Sequence, residues 1–278
     1  MFFALLSTII WSFSNVFWKK SLNYKIWNRA HEISSYPIPL ILLWYFFITS
    51  FSFSDLSIQL VIIVLLIVLI DVVKLPVEQS IYKEEKISVI IPYLNISKVL
   101  VIISSFFIFQ DVSYTALWVT IFTIWVITLW SIDVKTHKLP RNFTKLLFVE
   151  TLRTIAILLG WWVVISYWEI SYFNSYVLLA CISAFILLFL SHQTTDFKHV
   201  WFSYWKHRTM WSTWWISWFL SLIVINNLGL SISILLWFIW VWITLIFSYL
   251  FLKDVPSQKN ILLTIVVMCL VWIWYYFK

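Results

Sequence analysis

LSISILLWFIWVWITLIFSYLFLKDVPSQKNILLTIVVMCLVWIWYYFK, residues 230–278, decides how the chain is read. It consists of an apolar run (Leu230–Leu252), a polar break (LKDVPSQKN) and a second apolar run (Ile261–Phe277). At 1.5 Å per residue, each run crosses a hydrocarbon core roughly 30 Å thick. The pattern is a helical hairpin suited to lipid, and the upstream sequence repeats it.

The rest of the composition agrees. Of 278 residues, 63% are hydrophobic and 11% charged, with a mean hydropathy of +0.94. Soluble domains carry about 25% charge. The expected fold class is therefore all-α integral membrane protein. No stretch alternates with the period of a membrane β-strand. The first apolar segment starts at Met1 without a basic region before it or a small-residue cleavage site after it, so a retained helix is expected rather than a signal peptide. Cys181 and Cys269 lie within apolar runs, which argues against a disulfide framework.

Ten spans are expected: Phe2–Phe17, Ser34–Phe53, Leu56–Leu75, Ile87–Phe109, Ser113–Ile132, Leu146–Ile165, Phe173–Ser191, Thr209–Leu228, Leu230–Leu252 and Ile261–Phe277. Pro92 falls inside the fourth and predicts a kink there. Basic residues gather in the loops after odd-numbered spans, among them Lys19, Lys83, Lys86, Lys135, Lys145, Lys206 and Lys253. Loops after even-numbered spans hold only Asp55, Asp111 and Glu169. The positive-inside rule then puts the odd loops in the cytoplasm and both termini outside, in the cytoplasmic (inner) membrane of the cell. The net charge of +7 is thus explained by topology, without nucleic acid.

Shifting Ser88–Asp111 by 143 residues lays it on Ser231–Asp254 and aligns FQDVS with LKDVP. The expected organisation is two five-helix repeats, 1–132 and 144–278, joined by a basic linker at 133–143. An odd number of spans per half inverts the second copy, as in secondary transporters built around a midplane site.

The composition also contains an anomaly: 2 Gly against 21 Trp, where average usage predicts roughly 20 Gly. Trp214 and Trp218 have the spacing of a small-residue packing face, and doublets such as Trp161–Trp162 lie within spans. One reading is that many of these tryptophans are glycines from a genome that reads UGA as glycine. The other is real tryptophan at interfacial belts. UGG codons at these positions remove the first reading.

ALLSTIIWSFSNVFWKKSL at the start, and SISILLWFIWVWITLIFSYLFLKDVPSQKNILLTIVVMCLVWIWYYFK at the end, resemble the first and last two helices of the drug/metabolite transporter superfamily, in its ten-helix EamA-like branch. The resemblance matches Asp254 and Asp111 to the acidic residue at the family's short turn. It implies alternating-access transport of a small metabolite, often efflux of amino acids or related compounds. Substrate identity is not implied.

Ionisable residues within spans cost about 2.5–3.5 kcal/mol on insertion scales and therefore mark candidate sites. Lys98 in the fourth span replaces a residue that is commonly proline in the family, and its repeat equivalent is Val241. Lys98 and Asn95 are candidate substrate-binding residues, joined by Asn15, Tyr93 and Asn226. Asp71 and Lys74, with Glu78 on the same face, form one candidate coupling or gating pair, and Glu150 with Arg153 another. Against each stands a structural role, either an internal ion pair or helix–helix hydrogen bonding. His192, His199 and His207 lack metal-site spacing, and no metal, cofactor or catalytic residue is expected. No P-loop, HExxH or GxGxxG motif is present. The expected partners are a small-molecule substrate and membrane lipid. The alternatives are an integral-membrane enzyme or lipid-handling protein, which needs a catalytic cluster at the cytoplasmic face, and a structural membrane scaffold.

Overall fold

The computed structural model describes residues 2–21, 41, 45, 57–90, 93–109, 114, 117–118, 121–123, 125–126, 142–167, 169–190 and 213–277. Helix is the only regular structure among them. The elements are α1 (Phe2–Ser21), α2 (Ile58–Glu84), α3 (Ile87–Ile90), a 3-10 turn (Tyr93–Asn95), α4 (Ile96–Phe109), α5 (Phe143–Ser166), α6 (Glu169–Leu190), α7 (Trp214–Leu252) and α8 (Gln258–Phe277). Most of the expected second and fifth spans, Asp111, most of the basic linker and the histidine-rich loop lie outside the described residues.

The long α2 starts at Ser57, whose hydroxyl caps the Leu60 amide at 3.0 Å. Its outward side is a column of exposed Ile58, Ile62, Leu65, Leu69 and Val73. A stripe of that size facing water would drive association, whereas facing lipid it costs nothing. α2 and α5 are both long and apolar enough to cross a membrane. The helix outlasts the span expected to end at Leu75, as the shared face of Asp71, Lys74 and Glu78 requires. The helix continues through Pro76 to Glu84, because Glu78, Gln79, Ile81 and Tyr82 on the next turns are buried and tertiary packing outweighs the proline penalty. In the fourth span a 3-10 turn at Tyr93–Asn95 precedes α4; Pro92, where a kink is expected, lies outside the described residues.

α7 is a single helical run where two spans are expected, yet it is not straight. The Ser14 and Thr213 hydroxyls lie 2.7 Å apart, and the ring of the adjacent Phe13 is 6.1 Å from that of Phe247. A straight helix would separate positions 213 and 247 by about 50 Å. α7 therefore turns back on itself. The turn lies between Ser221, which meets Ser7 at 2.7 Å, and Trp240, whose carbonyl accepts from Ser12 at 3.1 Å. The second arm ends at Lys253, in the left-handed region (φ 55°). There the Asp254 amide donates to the Ser248 carbonyl, and the Ser248 hydroxyl donates to the Asp254 carboxylate at 3.2 Å. The polar break thus satisfies the last carbonyls of the helix.

α1 packs along both arms of α7, while α5 packs against α2 and α4, and α6 against α2. The helix ends gather at two faces. At one, here the basic end, Lys19 reaches the carbonyls of Tyr82 and Glu85, and the Asn142 amide donates to Glu84 and Glu85. At the far end the Ser57 hydroxyl donates to Tyr167 at 3.0 Å. One apolar cluster sits toward the basic end, around Ile81, Ile90, Phe143 and Leu245. The other sits toward the far end, around Leu60, Val163, Phe173 and Leu222.

Candidate functional site

Between these two clusters lies a cavity of about 290 Å³. One wall comes from α1 and α7, with Ser7, Asn15, Trp215 and Ser221; the other comes from α2, α4, α5 and α6. The longer helices contribute one face each, as Asp71, Lys74, Leu75, Glu78 and Tyr82 do on α2, while α4 contributes the adjacent Ser97 and Lys98.

The ionisable residues flagged from the sequence converge here. Lys74 pairs with Asp71, and the Tyr176 hydroxyl of α6 donates to the same carboxylate. Arg153 bridges two carboxylates, Glu150 on its own helix at 2.5 Å and Glu78 on α2. Glu150 is fully buried (0% exposed). It interacts electrostatically with Lys98 on α4. Lys98, only 5% exposed, places its ammonium 4.4 Å from the centre of the Trp240 ring. A desolvated cation–π contact contributes about 2 kcal/mol. Among the described residues, three cations (Lys74, Lys98, Arg153) and three carboxylates (Asp71, Glu78, Glu150) therefore lie at or beside the cavity. A free anion near Lys98 would also meet the fields of Glu150 and Glu78, so the arrangement suits a neutral or zwitterionic ligand better than the bare carboxylate or phosphate that Lys98 suggests alone.

Of the other predicted residues, Asn15 lines the cavity. Asn95 lies in the 3-10 turn one turn before Lys98, and its side chain is outside the described residues. Tyr93 and Asn226 are not brought to the cavity. Tyr93 is buried in the basic-end core with its ring 5.9 Å from Phe143, and Asn226 is exposed near the fold-back of α7. Glu150, early in α5, has no exposed surface from which to reach water. Among the described residues no group of three or more His, Cys, Asp or Glu is placed to hold a metal ion.

Several lining groups were not singled out from sequence. Tyr172, Tyr176, Trp215 and Trp218 form a continuous aromatic wall, with Tyr176 and Trp218 centred 4.7 Å apart. The Ser7 hydroxyl donates to the Ser217 carbonyl at 3.0 Å and lies 2.7 Å from the Ser221 hydroxyl. Gly160 is needed where it stands, because a Cβ there would sit 2.7 Å from the Tyr172 hydroxyl. At the basic end the cavity is floored by Trp18 and Tyr82, with ring centres 4.7 Å apart. Beside them is Lys19, beyond the apolar run of α1. Burial pulls its pKa below the ordinary lysine value, against the opposing pull of Asp254 and Glu85.

No family model matches the chain, and no curated protein matches its sequence.

Proposed function

We propose that this is a polytopic secondary transporter, a carrier rather than an enzyme, that moves a small neutral or zwitterionic metabolite across the cytoplasmic membrane by alternating access. The observation that carries the reading is a cavity of about 290 Å³ enclosed by helices from both halves of an apolar, all-α chain. Its walls hold charge-balanced ion pairs and aromatic rings together, the usual chemistry of a small-molecule site.

Two further observations support ten spans in two inverted five-helix halves, 1–132 and 144–278, as in the EamA-like transporters. Under the shift of 143 residues, Ser97 corresponds to Trp240. The Thr154 hydroxyl of α5 meets the Ser97 carbonyl at 3.3 Å, while the Ser12 hydroxyl of α1 meets the Trp240 carbonyl at 3.1 Å. In each case the first helix of one half bonds the fourth span of the other, in a register one residue apart. The same shift relates Ser7 to Glu150 and Ser221 to Glu78. The hydroxyl pair at one place thus corresponds to the carboxylates bridged by Arg153 at the other. The gathering of Lys19, Lys145 and the end of α2 at one face agrees with odd-numbered loops in the cytoplasm and both termini outside.

The test is thermal stability of the purified full-length protein in detergent against a panel of metabolites, since a ligand held only by the folded state raises the melting temperature. A neutral or zwitterionic solute is expected to raise it, and the Lys98→Gln variant to lose that response while keeping its own transition. A panel without effect, together with no solute uptake in proteoliposomes, would leave a scaffold instead.

A further inference from the structure

The cavity divides the described helices into two groups. α1 and α7 stand on one side; α2, α4, α5 and α6 on the other. α1 and α2 face each other across the open space and are joined at the basic end. There the Lys19 ammonium donates to the carbonyls of Tyr82 and, at 2.8 Å, Glu85, at the C-terminal end of α2. Those carbonyls have no acceptor role inside the helix and carry its partial negative charge, so a cation is the natural partner. Trp18 on Tyr82 closes the same end beside it.

The repeat shift places Trp161, Trp162 and Ile225 where Trp18, Lys19 and Tyr82 stand. Trp161 and Ile225 line the cavity toward its far end, and Trp162 has its ring 6.2 Å from that of Tyr167. One end is therefore fastened by a charge-assisted contact, and its counterpart carries an indole in place of the ammonium.

We infer that Lys19 is a releasable latch that holds the cavity closed at the basic end by tying α1 to the end of α2. The contact is made to backbone carbonyls, and of the carboxylates that favour the ammonium, buried Asp254 keeps its hydrogen bond from Ser248 and Glu85 keeps its bond from Asn142 when Lys19 leaves. The freed ammonium lies at the end of the helix, where water can take it up. The Lys19 side chain is only half-buried, so the contact can open to water, and burial opposes its charge more strongly than Asp254 and Glu85 favour it. A permanent strut would bury its partners as Arg153 does. The inference rests on the transport reading for its purpose but not for its test.

The test uses an Ala156→Cys reporter on the cavity wall, in full-length protein whose Cys181 and Cys269 are replaced by serine. A membrane-impermeant maleimide is applied to either face of sealed vesicles with no solute present. Removing the two charge-assisted hydrogen bonds by Lys19→Met is expected to speed labelling from the face carrying Lys19 at least about tenfold, and Lys19→Arg to restore the slow rate. Should Lys19→Met not fold, Lys19→Gln is measured in its place. An unchanged labelling rate in a folded variant overturns the latch. Failure of the parent protein to move any solute overturns the transport reading separately, because the labelling is read without one.

Discussion

Arg153 is the side chain on which the charged half of the cavity depends. It holds Glu150, fully buried, and Glu78, nearly so. Replacing it leaves two carboxylates without their cation in a dry interior, a loss of about 3–5 kcal/mol. Arg153→Met is therefore expected to lower the melting temperature sharply in detergent, or to prevent recovery of folded protein. Ser7→Ala, at the repeat-related position on the other side, removes only neutral hydrogen bonds and is expected to cost about 1 kcal/mol. Equal effects of the two substitutions would refute this division of labour. The tryptophans stand differently. Trp11, Trp18, Trp161, Trp215, Trp218 and Trp240 all line the cavity, so the codon question raised by the composition bears directly on the size and chemistry of the site. If those positions are glycine, Lys98 loses its aromatic partner and the cavity gains the volume of the missing rings. The Lys19 contact to backbone carbonyls involves no indole.

Among the elements, α7 shows most clearly what a linear reading can and cannot see. The break at Asn226–Gly229 was legible as the boundary between two apolar runs of spanning length. The turn itself is recognisable only because both arms touch α1 at one level. Cysteine pairs at Ser14 with Thr213, and separately at Phe13 with Phe247, are both expected to cross-link. Formation of only one pair would mean that the arms do not lie side by side. The helix past Pro76 was legible as far as Glu78, which shares a face with Asp71 and Lys74; the last turn to Glu84 was not, since the burial of Gln79, Ile81 and Tyr82 that supports it is tertiary. Much of the candidate site was legible, because charge inside an apolar run is conspicuous: Lys98, Asp71, Lys74 and Arg153 needed no fold to be noticed. Their pairing was not. Arg153 joins Glu78 from 75 residues away, and no helical spacing reports that. The Ser7–Ser221 cluster was hidden because serine is common in membrane helices. Carrying the 143-residue shift from the aligned spans to the charged residues would have pointed to it.

For the whole molecule, the alternation of basic and acidic loops and the sorting of helix ends to two faces make one expectation about orientation. An epitope after Lys278 is expected to be reached by antibody on intact spheroplasts, and a fluorescent protein fused there to stay dark. Fluorescence from the cytoplasm would invert the topology. The balance, among the described residues, of three cations against three carboxylates at or beside the cavity has a consequence for energetics. A membrane potential does work of about 2.3 kcal/mol per 100 mV on each elementary charge carried through it. A carrier whose ionised groups cancel, loaded with a solute that has no net charge, presents almost nothing for that field to act on. On the proposed transport reading, and unless a coupling ion travels with the solute, the voltage across the membrane is expected neither to drive nor to oppose the cycle. The direction of net movement is then set by the concentrations of the solute on the two sides.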